Sequence, residues 1–240
     1  MSSRRKARQL RKRRNNTDYM EAAKYKILGS DYLGVFGTAT DDFLFIGAGL
    51  TRNIREMIAT TLDVRCVDLK ISESDLVGLF SRANSNGILI SKMATDYEID
   101  GLKKLGLDLN IGVLESDLNA VGSNVLANDR IAVINPDYTE SEANKIADVL
   151  GVEVVRAGIG GFKTVGANNI LTNTGLVLNN RSTAKEKQEW DNMTGFNSVM
   201  TTANTGAYSV GFAAIANSKA VCVGESTTGF ELARIVEGLE

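Results

Sequence analysis

The sequence predicts a five-bladed α/β propeller: five pseudo-symmetric β-β-α-β repeats, closed by a strand taken from near the N-terminus. Three observations carry this reading. An apolar residue followed by glycine recurs as Leu33-Gly34, Val77-Gly78, Val121-Gly122, Val165-Gly166 and Val210-Gly211, with the glycines 44, 44, 44 and 45 residues apart. A fixed period of this length marks a repeat architecture in which one supersecondary unit is used again and again. The register that follows each glycine repeats as well, first as turn chemistry and then as a helix start.

Taken in order, the unit begins with a short strand that ends on Ala39, Ala83, Ala127, Leu171 or Ala216. Next come Thr40, Asn84, Asn128, Thr172 or Asn217, and then Asp41, Ser85, Asp129, Asn173 or Ser218. Small polar residues of this kind build hairpin turns, because their side chains bond the nearby backbone. A second apolar strand follows, ending at Ile46, Ile90, Ile134, Leu178 or Val223. Seventeen residues after every glycine stands a threonine (Thr51, Thr95, Thr139, Thr183, Thr228), and in four units a glutamate lies three further on (Glu98, Glu142, Glu186, Glu231). That spacing is the capping box, which opens a helix by satisfying its orphan N–H groups. Ile54 breaks the box in the first unit. One apolar residue then marks the buried helix face in each copy: Ile58, Leu102, Ile146, Trp190 and Ile235.

Closing strands are expected near 64–71, 109–114, 152–157 and 196–201. The fifth unit reaches Glu240 directly after its helix, so its closing strand must come from elsewhere, and the apolar segment 23–28 is the source. Borrowing it pairs the two ends of the repeat array and leaves no open sheet edge between the first and last units. A linear solenoid, the alternative, would leave 23–28 unpaired and lacks polar terminal caps. Residues 1–22 are read as a basic extension, expected to be flexible, and 23–240 as one domain with repeats beginning near 33, 77, 121, 165 and 210.

Composition narrows the function. No histidine occurs in the 240 residues, which removes the commonest general base and metal ligand. The single proline, Pro136, leaves the turns to glycine, Asn and Asp. Two cysteines make no disulfide framework, and Cys222, inside the apolar strand 220–223, reads as buried and inert rather than nucleophilic. No segment reads as a signal peptide or membrane span, so a cytoplasmic protein is expected. Eight of the 27 Lys and Arg residues, but one of the 29 Asp and Glu, fall in residues 1–19; the other 221 residues carry 19 basic and 28 acidic groups, a net charge of −9. An acidic body with a basic arm points to a basic partner for the body and nucleic acid for the arm.

Other features have plainer readings. Gly158-Ile159-Gly160-Gly161 lacks the Lys-Ser pair of a phosphate loop and is read as a flexible connection. The Asp41-Asp42 pair is read as turn residues rather than metal ligands, the Thr…Glu pairs as structural, and the repeat glycines as allowing close backbone packing near the axis. No cofactor and no metal are expected.

A fivefold β-β-α-β ring of this repeat length is the pentein architecture. Within it, the run from Ala120 to Asp137, the segment Ile146–Val154 and the turn Thr172-Asn173-Thr174-Gly175-Leu176-Val177-Leu178 resemble the translation initiation factor 6 family, the likeness covering roughly residues 25–240. The chain ends after the fifth helix without the tail of eukaryotic members, so the archaeal branch is the better match. The resemblance implies a monomeric, non-enzymatic, cytoplasmic protein that binds the intersubunit face of the large ribosomal subunit. There it would lie among ribosomal proteins and near the sarcin–ricin loop of the rRNA, preventing association with the small subunit, with roles in translation initiation and in biogenesis of the large subunit. Carried over residue by residue, the family's ribosome contacts on the first strand and hairpin turn pick out Gly34, Asn84, Gly87, Gly122, Asn128 and Asp129. Where eukaryotic relatives have arginine this chain has Leu79 and Ser85, and where they have asparagine it has Ser123. Either the interface is retuned around such residues, or Arg82 and Asn86 substitute. Other penteins are amidine-modifying enzymes with a cysteine nucleophile and a histidine base, a pair this sequence cannot supply.

The arm Arg4, Arg5, Arg8, Arg11, Arg13 and Arg14 has three readings: a segment that binds rRNA phosphates, a solvated tail, or sequence upstream of a start at Met20. The rival function is accordingly an RNA-binding ribosome assembly protein acting mainly through this arm.

Overall fold

The structure is a computed structural model in which residues 20–240 are described; the arm residues Arg4 to Arg14 lie outside the described residues. Five three-stranded sheets repeat one pattern. In the first unit Gly37–Ala39 runs antiparallel to Phe43–Gly47, which runs parallel to Arg65–Leu69, and helix Arg52–Leu62 carries the chain between the two parallel strands. Helices Asp96–Lys104, Glu140–Leu150 and Ala184–Thr194 do the same in the next three units. The fifth unit supplies Ala214–Ala216, Ala220–Gly224 and helix Gly229–Leu239, and its third strand is Glu21–Tyr25, paired parallel in the register Glu21 to Ala220 and Tyr25 to Gly224.

That strand was expected at 23–28. It starts two residues earlier, inside the segment read as an extension, and stops at Tyr25. Beyond it Ile27 bridges Ser30 across a two-residue turn at Leu28 and Gly29, both with positive φ. The apolar run therefore turns back on itself instead of extending. The Gly158–Gly161 connection is likewise ordered: Ile159 bridges Phe162, and Gly160 and Gly161 take φ of 61° and 79°, values of the primed turns that close tight hairpins.

The capping boxes form at Thr95, Thr139, Thr183 and Thr228, while Thr51, facing Ile54, makes no side-chain cap. Three of the four glutamates have a second task. Glu98 also accepts from the backbone N–H groups of Ser72 and Glu73, Glu186 from Gly160, and Glu231 from Thr205 and Gly206. One carboxylate thus starts a helix and holds the tight turn of the preceding unit against it.

Each repeat glycine lies in a single helical turn just before the first strand, at Leu33–Val35, Val77–Phe80, Val121–Asn124, Val165–Asn168 and Val210–Ala213. A Cβ at Gly78 would stand 2.0 Å from the Gly34 carbonyl oxygen, at Gly122 1.8 Å from that of Gly78, at Gly166 2.3 Å from that of Gly122, at Gly211 2.2 Å from that of Gly166, and at Gly34 2.4 Å from that of Gly211. No side chain fits at any of the five. The hydrophobic cores lie between units rather than within them. Phe45 and Val67 pack with Ile88 and Leu102; Leu89 packs with Ile134 and Ile146; Val133 with Leu178 and Trp190; Val177 with Val223 and Ile235; and Ile215 and Cys222 with Ile58 and Leu62. A sheet this small cannot bury its own apolar face, so each unit completes its neighbour.

Candidate functional site

The five hairpin turns gather on one face, around a shallow cleft of about 30 Å³ lined by equivalent residues from all five units. Depth in this face follows register. The first turn residue is buried in every unit: Thr40, Asn84, Asn128, Thr172 and Asn217 are all at most 6% exposed. Their side chains close their own turns and reach the next. The Asn128 Oδ1 accepts from the backbone of Arg130 and Ile131, while its Nδ2 donates to the Thr172 carbonyl at 2.9 Å. The amide of Asn84 does the same between its own turn and the Asn128 carbonyl, and that of Asn217 reaches the Thr40 carbonyl.

The second turn residue, half-exposed in most units, belongs to one polar network. The Asp129 carboxylate accepts from the Ser85 backbone N–H and hydroxyl at 2.8 and 2.5 Å. Nδ2 of Asn173 donates to Asp129 at 2.7 Å and to Asp41 at 3.1 Å, and Asp41 in turn accepts from the Ser218 backbone and hydroxyl. The third turn residue is exposed in every unit: Asp42, Asn86, Arg130, Thr174 and Lys219. Several of these are pre-set by the frame: Arg130 lies 5.3 Å over the Phe196 ring and donates to the Thr194 carbonyl, while Lys219 donates to the carbonyls of Asp41 and Asp63.

Against this frame the sequence-derived candidates separate. Asp129 and Asn86 stand on the face. Asn84 and Asn128 lie directly beneath it, with their amides already bonded. Gly34 and Gly122 are packed against neighbouring glycine backbone, and Gly87 is buried where a Cβ would meet the Val149 carbonyl oxygen at 2.2 Å. Ser123 is buried in its helical turn. Arg82 turns inward, its Nη2 donating to the Gly122 carbonyl at 2.6 Å. Sequence reasoning passed over Asp41, Asn173 and Ser218 as partners of Asp129, and Arg130 and Lys219 as the exposed basic members of the face; the repeat register that placed Asp129 was the available signal.

The site offers little to covalent or metal chemistry. Burial pushes the Cys222 thiol up to about 12 and, with the nearby Asp68 carboxylate, the Cys66 thiol up to about 11, so neither is a thiolate near neutral pH. Among the described residues no three Cys, Asp or Glu side chains converge as a metal cage, and no helix is long and apolar enough to cross a membrane.

The sequence model of the eIF-6 family matches residues 22–238. The chain is 37% identical over 224 residues to translation initiation factor 6 of Thermococcus onnurineus, covering 92% of this chain and 98% of that one. It is 36% identical to the Picrophilus torridus protein of the same name, covering 90% and 98% of the two chains, and 35% identical to that of Methanosarcina acetivorans, covering 89% and 95%.

Proposed function

Because the chain belongs to the eIF-6 family of translation initiation factors, we propose that it binds the large ribosomal subunit at its intersubunit face and prevents the small subunit from joining. On this reading it serves initiation and large-subunit biogenesis by occupying space, as a monomer, and transforms nothing. The observation that carries the proposal is the turn face: five hairpins present three graded tiers, a buried spacer tier, a cross-linked polar tier around Asp41, Asp129 and Asn173, and an exposed tier that includes Arg130 and Lys219. A surface pre-organised in this way loses little side-chain freedom on docking. Its mixed charge suits a partner made of basic protein and anionic RNA.

The same proposal takes the five units as blades of a closed ring. Support comes from the parallel pairing of Glu21–Tyr25 with Ala220–Gly224, from the glycine contacts that run Gly34, Gly78, Gly122, Gly166, Gly211 and back to Gly34, and from the shared core between units five and one. A rigid disk is a good steric block because it cannot deform to admit the small subunit.

Sucrose-gradient co-sedimentation with isolated large subunits tests the reading. The double variant Arg130→Glu, Lys219→Glu should bind at least about tenfold more weakly, roughly 1.4 kcal/mol, whereas Lys185→Glu on the outer helix should bind like the parent chain. Equal binding by both variants would remove the turn face from the interface. A chain beginning at Met20 should still bind, with a shallower salt dependence; loss of all binding on that truncation would transfer the function to the basic arm.

A further inference from the structure

Behind the turn face lies a second cavity, of about 40 Å³, which shares Ala39, Ala83, Ala127, Leu171 and Ala216 with the outer cleft and reaches inward to Gly34 and Gly211. The five shared residues are the same register position in all five units. They form an apolar collar between the polar face outside and the repeat glycines inside.

One charge stands in this chamber. Arg82, on the strand Ser81–Ala83, lines it, and its Nη2 bonds the Gly122 carbonyl. The contact is held by packing, since a Cβ on Gly166 would come within 2.9 Å of the same nitrogen. Its Nε is buried with no hydrogen-bond partner. No carboxylate pairs with it among the described residues, and burial alone pulls the guanidinium down, to about 10. Arg55, whose Nε is also unpartnered, is otherwise provided for by an ion pair with Asp68. The nearest acidic side chains on the axis, Asp41 and Asp129, stand beyond the collar and are committed to Ser218, Ser85 and Asn173. A buried cation without a counter-charge costs several kcal/mol, and the other polar groups of the wall do not supply one. The Asn169 amide is bonded to the Val165 carbonyl and to Asn179, while Thr38 brings a hydroxyl, a donor rather than a negative charge.

We propose that this chamber binds one small monovalent anion of halide size, held by the Arg82 guanidinium with the Thr38 hydroxyl as a second donor. The volume fits that class. A water-sized sphere needs roughly 10–15 Å³, so there is room for a monatomic anion with one or two waters, and none for a nucleotide or a sugar phosphate. The ion completes the charge balance of the chamber, and its occupancy is coupled to the fold, because it touches only the assembled units.

Two measurements on the full chain test this. In crystals grown with bromide replacing chloride, an anomalous peak is expected in the chamber at hydrogen-bonding distance from Arg82. In solution at fixed ionic strength, replacing gluconate by chloride should raise the thermal midpoint by about 2–4 °C in the parent chain, and by nothing measurable in Arg82→Met. A chamber holding only water in the bromide crystals overturns the proposal. So does a thermal midpoint indifferent to chloride in the parent chain, since a peak without that response is an adventitious ion. Both readings use the parent chain, so they stand even where Arg82→Met does not fold.

Discussion

At the residue scale, a turn position's depth decides what a substitution there reports. Asn128 is buried, and its one amide holds two N–H groups of its own turn and the carbonyl of the next unit. Asn128→Ala should cost about 3 kcal/mol, because buried donors lose their acceptor. Asn128→Thr should cost roughly half as much, because Thr40 and Thr172 close the equivalent turns with a hydroxyl and lack only the reach to the neighbour. Urea midpoints at constant slope would read both; equal losses would mean that the link between units carries the whole effect. The sequence placed all five of these residues in turns. It could not separate the buried first position from the exposed third, because a turn former looks the same whether water or a neighbouring carbonyl faces it. The three-dimensional stacking of five turns assigns the difference, and it moves weight from Asn84 and Asn128 toward Arg130 and Lys219. Arg82 shows the same limit in reverse: a charged residue on a short strand reads as surface, and only the convergence of five strands turns it inward.

At the element scale, the Thr…Glu spacing announced four helix starts and their failure at Ile54, and the structure has them all. What the spacing could not announce is the long-range half of the glutamate's work, since the turn it clamps lies about 25 residues upstream. Glu231 shows the consequence. Its burial raises the carboxyl, but hydrogen bonds from the Thr228 backbone, the Thr202 hydroxyl, the Gly206 backbone and the Thr228 hydroxyl outweigh that and hold it at about 2. A carboxyl lowered by folding contributes stability that is fully present above its unfolded value, 4.5, and is lost as pH falls toward 2. Glu231→Gln should therefore be less stable than the parent near pH 7, and the gap should narrow steadily between pH 4.5 and 2. Chemical denaturation across that range checks it, and a gap independent of pH would show that the ionised form carries no advantage. The short helical turns around the repeat glycines were invisible beforehand for a different reason. Four residues are too few to show a helical period, and their conformation is imposed by the neighbouring glycine backbone.

At the scale of the whole molecule, the 44-residue period made the five units legible, and their mutual dependence follows from where the cores lie. With every apolar cluster shared between neighbours, no unit holds a core of its own, and unfolding should be a single cooperative event. The glycine contacts make the same point at the centre: Gly122→Ala would place a methyl 1.8 Å from the Gly78 carbonyl oxygen, and since backbone cannot rotate away as a side chain can, the loss should be at the upper end of overpacking costs, roughly 3 kcal/mol, with the thermal midpoint falling accordingly. The borrowed strand allows the sharpest test of closure. The Met20 N–H donates to the Glu240 carboxylate at 2.8 Å, so a short Gly-Ser linker can join position 240 to position 20, with new ends opened between Leu105 and Leu107, in the loop after the second helix. In that permutant Glu21–Tyr25 follows the fifth helix directly, as Arg65–Leu69 follows the first, and the protein should melt cooperatively within a few degrees of the parent. Deleting 21–25 instead exposes the whole edge of Ala220–Gly224, and that chain should lose its sharp transition or associate through the bare edge. If the deletion melts like the parent while the permutant does not, the array is held together along its length and the ring reading falls.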